Sequence, residues 1–376
     1  MMNYTTRYQQ LNTIYKMGTD IELPETGVRV LHYNFTSNLS SYENRLDGNG
    51  VFNDQVPENT SFIYPVFVPE DCKIFNEAIL LMHGLNERNW AKYLTWAEYL
   101  CVETNKPVIL FPIAFHINRT PVFWSNPRML KNIFEERRKS LGNDRTVSFA
   151  NVALSERISQ NPLRFYASGR QTLNDMANLY NDIKSGKHSL FSENTHIDIF
   201  AYSIGAFLSQ IAFMTNPANL FADSKLFMFC GGSIFSSMFG QSRGIMDKEA
   251  FNTLLEFYEH DFSDKNVGES FRDKALRAFN SMISPERNRR ERTGFFKKMG
   301  SRLSGVSLRR DFVIPYRGIE KALGEKNAHS KIDLIDFDFE YTHENPFPTT
   351  GLNSQTKDVD KSFNLIFGKA AGFLAT

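Results

Sequence analysis

Cysteine is scarce: the 376-residue chain has three, Cys72, Cys101 and Cys230. They are widely separated, match no zinc-ligand spacing and cannot build the disulfide framework of a small secreted domain, so they read as buried, reduced thiols. An excess of one charge is also missing. The 43 Lys and Arg residues against 42 Asp and Glu leave a net charge of +1. Such a balance gives no overall field favouring nucleic acid or an anionic membrane. No apolar run approaches the roughly 20 residues needed to cross a bilayer. The first residues, MMNYTTRYQQLNTIYK, lack an apolar h-region, so no secretory signal is expected. The expectation is a soluble cytoplasmic protein without a nucleic-acid partner or a membrane span. There is no His-Glu-x-x-His, no Cys-x-x-Cys pair and no Gly-x-Gly-x-x-Gly after a strand, so neither a metal nor an organic cofactor is implied. Internal repeats and low-complexity segments are absent too.

Phenylalanine, by contrast, is abundant at 34 residues, within a hydrophobic content of 41%. That supports a large core in one α/β domain, or in a domain with an inserted cap. Apolar runs at 62–68, 77–83, 107–113, 196–203, 225–232 and 331–339 read as strands. Several are almost continuous in apolar residues, as parallel strands covered on both faces are. LHYNFTS (31–37) is a further candidate strand. Helical periodicity covers 90–103, 169–186 and 205–214; in the second, Leu173, Met176, Ala177, Leu179, Tyr180 and Ile183 share one face. This alternation predicts βαβ units and a mostly parallel, right-handed sheet flanked by helices. Residues 1–60 read as an N-terminal extension packed on a domain at 61–376. Long insertions at about 114–168 and 240–303 are expected to form a helical cap. The arginine cluster at 287–292 reads as a solvated helix face, because Glu286 and Glu291 dilute its charge.

The stretch DIFAYSIGA (198–206) carries the chemistry. An apolar run ends at Ser203, and two small residues follow at once. Ala201-Tyr202-Ser203-Ile204-Gly205 matches the Gly-x-Ser-x-Gly nucleophile elbow, with alanine in place of the first glycine. The turn is tight, so the residues two before and two after the serine must be small. Ile204 would offer its backbone N–H at a helix start, where unpaired donors and the helix dipole favour an oxyanion. The competing reading is a serine that caps an ordinary helix.

A serine hydroxyl needs a base, and the base needs an orienting group. On an elbow fold the chain order is serine, acid, histidine. Three histidines follow Ser203: His260 in the second insertion, His329 in a polar loop, and His343 just after the last strand. His343 is the best-placed base. Asp311, after a short β-prone run, is the preferred acid over Asp336, Asp338, Glu340 and Glu344. The loop after the 77–83 strand begins His83-Gly84, which makes the Leu85 N–H the second oxyanion donor. Candidate substrate-binding residues are His83, Gly84, Tyr202, His116, Asn118 and Arg119. Arg119 would hold an anionic substrate group, or else pair with an acidic residue of the cap.

MHGLNE, AYSIGA, DFVIP and YTHENPF, in that order, resemble the α/β-hydrolase superfamily over roughly residues 60–345 outside the insertions. HGLNERNWAKYLTWA, FPIAFHINRTPVFWS, NVALSERI and RFYASGRQT resemble an uncharacterised family of α/β-hydrolase-like proteins best known from Bacteroidota. The resemblance implies the α/β-hydrolase fold and a serine-hydrolase mechanism, but no substrate. The expected activity is cleavage of a carboxylic ester, or a thioester or amide, in a small-molecule acyl substrate through an acyl-enzyme. Two alternatives remain open at this point. One is an acyltransferase on the same triad; the other is a non-catalytic binding protein, favoured by Ala201 and by the large charged insertions.

Overall fold

The computed structural model describes residues 2–38, 56–70, 73–262, 273–351 and 355–376. Cys72, residues 39–55 of the N-terminal segment and residues 263–272 of the second insertion lie outside the described residues. The expected strand runs fold as β3 (Ser61–Pro69), β4 (Phe75–Met82), β5 (Val108–Leu110), β6 (Phe191–Tyr202), β7 (Leu226–Phe229) and β9 (Ile332–Ile335). β8 (Leu303–Leu308) is the β-prone run before Asp311, while β1 (Ile21–Leu23) and β2 (Val28–Thr36) come from the N-terminal segment. All nine form one sheet in the order β1-β2-β3-β5-β4-β6-β7-β8-β9. From β5 to β9 every neighbouring pair is parallel. β1, β2, β3 and β5 pair antiparallel. The 1–60 segment thus joins the sheet, since β2 pairs with β3 from Val28↔Pro69 to Thr36↔Ser61.

Alternation along the central strands sends side chains to two helical layers. Ile199 and Ala201 face a core shared with Leu173, Met176 and Leu179 of helix Leu163–Lys184 and with helix Ile204–Thr215. Phe200 and Tyr202 face the other core, built on helices Tyr4–Ile14, Ala91–Thr104 and Thr356–Ala375. In this core Phe200, Phe229, Phe347, Phe363 and Phe367 stack or meet edge-on. Cys101 and Cys230 are free and buried.

Several elements differ from the sequence reading. β5 stops at Leu110 because Pro112 lacks an N–H, and the Ile113 N–H goes to His83 Nε2 at 2.9 Å instead of a ladder partner. β9 stops at Ile335 because Asp336 turns away to accept from Arg310 Nε and from its neighbour's N–H, Phe337. Asp336 and Asp338 therefore lie beyond the last strand, not within it. The helix expected to begin at Gly169 begins at Leu163, behind Pro162. A lone helical glycine costs about 1 kcal/mol, too little to end a helix packed on one face. His329 lies in helix Glu325–Lys331 and not in a loop.

Arg137 joins the two insertions. It sits on helix Pro127–Ser140 and binds Asp247 through Nε and Nη2, Glu249 at 2.6 Å and Glu156 at 3.0 Å. Helix Val152–Gln160 packs on helix Lys248–Glu256 beside this network. The arginine cluster is only partly a solvated face. Arg289 and Arg290 are exposed, but Arg292 is buried and donates to the carbonyls of Ala322, Arg287, Pro285 and Lys321. Arg287 donates to the carbonyls of Tyr258 and Glu259. These guanidiniums close backbone groups at loop ends that would otherwise be left without partners.

Candidate active site

The chain bends where β6 meets helix Ile204–Thr215. Ser203 has φ 55° and ψ −124°, a conformation that costs a non-glycine residue on the order of 1–3 kcal/mol. Neighbours make the bend possible. A Cβ on Gly205 would stand 2.6 Å from the His83 carbonyl oxygen, so glycine is required there. Ala201 pairs with Met82 inside the sheet and fits without the glycine of the motif. The Ser203 side chain makes no capping bond to its helix. Its Oγ lies 2.7 Å from His343 Nε2 instead. This separates it from a serine that merely starts a helix.

His343 Nδ1 lies 2.8 Å from Asp311 Oδ2. Asp311 Oδ1 accepts from the backbone N–H groups of Val313 at 3.0 Å and Ile314 at 2.9 Å. With the carboxylate accepting, Nδ1 carries the imidazole proton and Nε2 is free to accept from the serine hydroxyl. Ser203, His343 and Asp311 are each 5% exposed or less. The structure therefore brings together the three residues proposed from sequence. The rivals are engaged elsewhere: Asp336 and Glu340 with Arg310, Glu344 with Ser242, and His329 with Glu320. His260 is exposed on the second insertion.

Leu85 and Ile204 both border the space beside Ser203. Gly84 abuts the elbow: a Cβ there would lie 3.1 Å from the Tyr202 ring and 3.4 Å from Ser203 Cβ. Tyr93 and Glu87, which the sequence reading overlooked, fix this loop. Tyr93 Oη accepts from the Gly84 N–H at 2.9 Å and donates to Glu87 at 2.6 Å. Burial, reinforced by Glu87, pushes the Tyr93 phenol well above its usual range, so it keeps the proton it donates. The segment HGLNERNWAKY held the signal, as the acid and the phenol stand six positions apart. Asn86, also overlooked, has φ 60° and donates to the carbonyls of Ala150 and Gly244, one in each insertion.

Of the candidate substrate contacts, His116 alone borders a cavity by the serine. The other five are occupied structurally. His83 is fully buried, donates from Nδ1 to the Gly84 carbonyl and accepts at Nε2. The Gly84 N–H is held by Tyr93. Asn118 donates to the Ile63 carbonyl. The Tyr202 hydroxyl donates to the His343 carbonyl, and its ring stacks on the imidazole at 5.5 Å, so Tyr202 positions His343.

Arg119 is fully buried, pairs with Asp175 of helix Leu163–Lys184 at 2.7 Å and also binds Asn59 and the Pro112 carbonyl. Its charge is matched by Asp175, which belongs to the helix layer on the sheet. Burial pushes the Asp175 carboxyl up despite Arg119 and Ser37. Arg119→Met is accordingly expected to cost about 3–5 kcal/mol in urea unfolding, because Asp175 is left buried without its cation. Arg119→Met with Asp175→Leu should recover most of that loss. A raised KM at unchanged stability would instead return Arg119 to the substrate.

Two apolar cavities lie at the elbow. One is walled by Ile113, Leu173, Phe207, Leu208 and Ile211. The other is walled by Ser203, Met246, Phe251, Leu254, Val313 and Ile314. Both touch Leu85, Phe165 and Ile204. Among the described residues no group of three His, Cys, Asp or Glu side chains could hold a metal ion. Nor is any described helix long and apolar enough to cross a membrane.

The family model DUF6051, a family of unknown function, matches residues 2–375. The chain belongs to that family. No curated protein matches it. Among solved structures it is similar to carboxyl esterase 2 from the mycorrhizal fungus Tuber melanosporum, with a TM-score of 0.50, 9% identity and 99% of each chain covered. It is also similar to a thermostable esterase from Pseudomonas putida, with a TM-score of 0.48, 8% identity, and 99% of this chain and 97% of that one covered. The fold is that of the α/β-hydrolases, as the motif order implied.

Proposed function

We propose that the protein is a serine hydrolase that cleaves carboxylic esters of small molecules. The observation that carries this is the continuous chain from Ser203 Oγ through His343 to Asp311, at 2.7 and 2.8 Å, starting from a serine in a strained turn. Ser203 Oγ attacks the acyl carbon while His343 Nε2 takes the hydroxyl proton. The tetrahedral oxyanion is held by the backbone N–H groups of Leu85 and Ile204. As the carbon–alkoxy bond breaks, His343 returns the proton to the departing oxygen and an acyl-serine remains. Water then adds to that carbonyl, giving a proton to Nε2. The acyl–Oγ bond breaks, the acid leaves, and Ser203 recovers its proton. Asp311 holds the imidazole in the tautomer that both halves need.

Esterase activity in the structural neighbours supports the same class of reaction. The 2.8 Å contact between Asp311 and His343, continued to Ser203 Oγ at 2.7 Å, supports the catalytic reading over a non-catalytic one. Covalent labelling by a fluorophosphonate probe tests the reading. Wild-type protein should be labelled on Ser203, and Ser203→Ala should not be labelled. Equal labelling of both would remove Ser203 as nucleophile.

A further inference from the structure

We infer that the substrate is an uncharged ester with two apolar halves, its acid chain in the Leu208 cavity and its alcohol in the Met246 cavity, with Phe165 between them. The inference rests on the esterase reading above and adds the substrate class. It follows from where the cavities lie relative to the triad. The departing oxygen must reach His343 Nε2 to be protonated. The second cavity includes Ser203 itself, and also Val313 and Ile314, whose N–H groups hold Asp311. That cavity is therefore on the histidine side and takes the alcohol. The first cavity touches Leu85 and Ile204 but none of the residues around Asp311 and His343. A carbonyl with its oxygen at those two N–H groups sends its acyl chain that way.

Composition of the walls decides polarity. In the second cavity Ser203 is the one polar side chain among the described lining residues. In the first the polar side chains are His116, Tyr166, Ser168 and Arg170. His116 Nδ1 and Ser168 Oγ bind the Ala114 carbonyl and Arg170 pairs with Asp273 at 2.7 Å, while His116 Nε2 is buried without a hydrogen-bond partner among the described residues. His116 is held neutral by burial. An anionic end group would therefore shed its water without gaining a cation, since Arg170 is paired with Asp273 and the neutral His116 ring can only accept at Nε2.

The test uses purified full-length protein and two ester series: methyl esters of linear acids, and acetates of linear alcohols. In each series kcat/KM should rise about fourfold per methylene until the cavity is full. Monomethyl suberate should react at least about 100-fold more slowly than methyl octanoate, since its terminal carboxylate enters the same wall unpaired. Leu208→Trp should lower the ratio of methyl octanoate to octyl acetate by about tenfold or more, and Met246→Trp should raise it similarly. The milder Ile211→Phe and Leu254→Phe give the same two signs if a tryptophan prevents folding. Flat series, or variants that move both esters together while Ser203 still takes the fluorophosphonate, overturn the two-cavity inference alone. Absence of both hydrolysis and labelling overturns the esterase reading and this inference with it.

Discussion

His343→Ala is expected to lower kcat/KM for the best ester by about 10⁶-fold, with Ser203→Ala equal to it and the double variant no worse. The equality matters more than the size. A hydroxyl without a base and a base without a hydroxyl are equally unable to form the acyl-serine, so their losses do not add. Asp311→Asn should cost about 10⁴-fold, because an amide oriented to keep the Val313 and Ile314 bonds favours the wrong imidazole tautomer. The fold should tolerate His343→Ala. The Tyr202 hydroxyl holds the His343 backbone carbonyl, not its ring, so the loop keeps its anchor. Thermal unfolding should move little, and the burst of alcohol that reports acyl-enzyme formation should vanish. Retention of more than about 1% of activity would remove His343 as the base.

The site was legible where chemistry fixes chain order, and illegible where distant segments decide a contact. Ser203, Asp311 and His343 could be read because an elbow needs small neighbours and its partners follow in a set sequence. The parallel centre of the sheet was legible for a similar reason: strands covered on both faces must be apolar throughout. Arg119 was different. Its sequence neighbours, in FHINRTPVFWS, place it after a strand at the active edge, and nothing local reveals Asp175, 56 residues away. The burial of Arg119 is a tertiary fact that a charged letter does not announce. The structural ties of His83, Gly84 and Tyr202 were hidden for a related reason. They are next to Ser203 or its loop, but the bonds that their polar atoms make to Ile113, Tyr93 and His343 join distant segments. The place of Phe165 beside both cavities was equally hidden, since it comes from the first turn of a helix expected to start six residues later.

Acid should destabilise the protein steeply, and two histidines that do no chemistry supply a large part of the effect. Burial lowers the pKa of His83 from 6.5 to about 3, with Lys92 and Arg119 adding to it against the Gly84 carbonyl. Burial, then the neighbouring His83, lowers His116 to about 3, opposed by the Ala114 carbonyl and Glu87 and assisted by Arg157. The folded rings therefore stay neutral at pH 5, while the same rings in the unfolded chain are protonated. The unfolded state binds more protons, so stability falls as pH drops below about 6.5 and goes on falling until about pH 3. At 1.36 kcal/mol per unit, the two rings together remove about 4 kcal/mol between pH 8 and pH 5. That is a large fraction of the stability of a typical domain. The loss has a functional side, since His83 ties the Gly84 carbonyl to the Ile113 N–H and so sets the loop that carries Leu85. Urea unfolding at pH 8, 6.5 and 5 measures the effect. In a variant with His83→Gln and His116→Gln, whose side chains do not titrate, the acid-induced loss should shrink by about 4 kcal/mol, even if its stability at pH 8 is lower. An unchanged pH slope in that variant would mean that the acid sensitivity comes from other groups and that these two imidazoles can take up protons without leaving the fold.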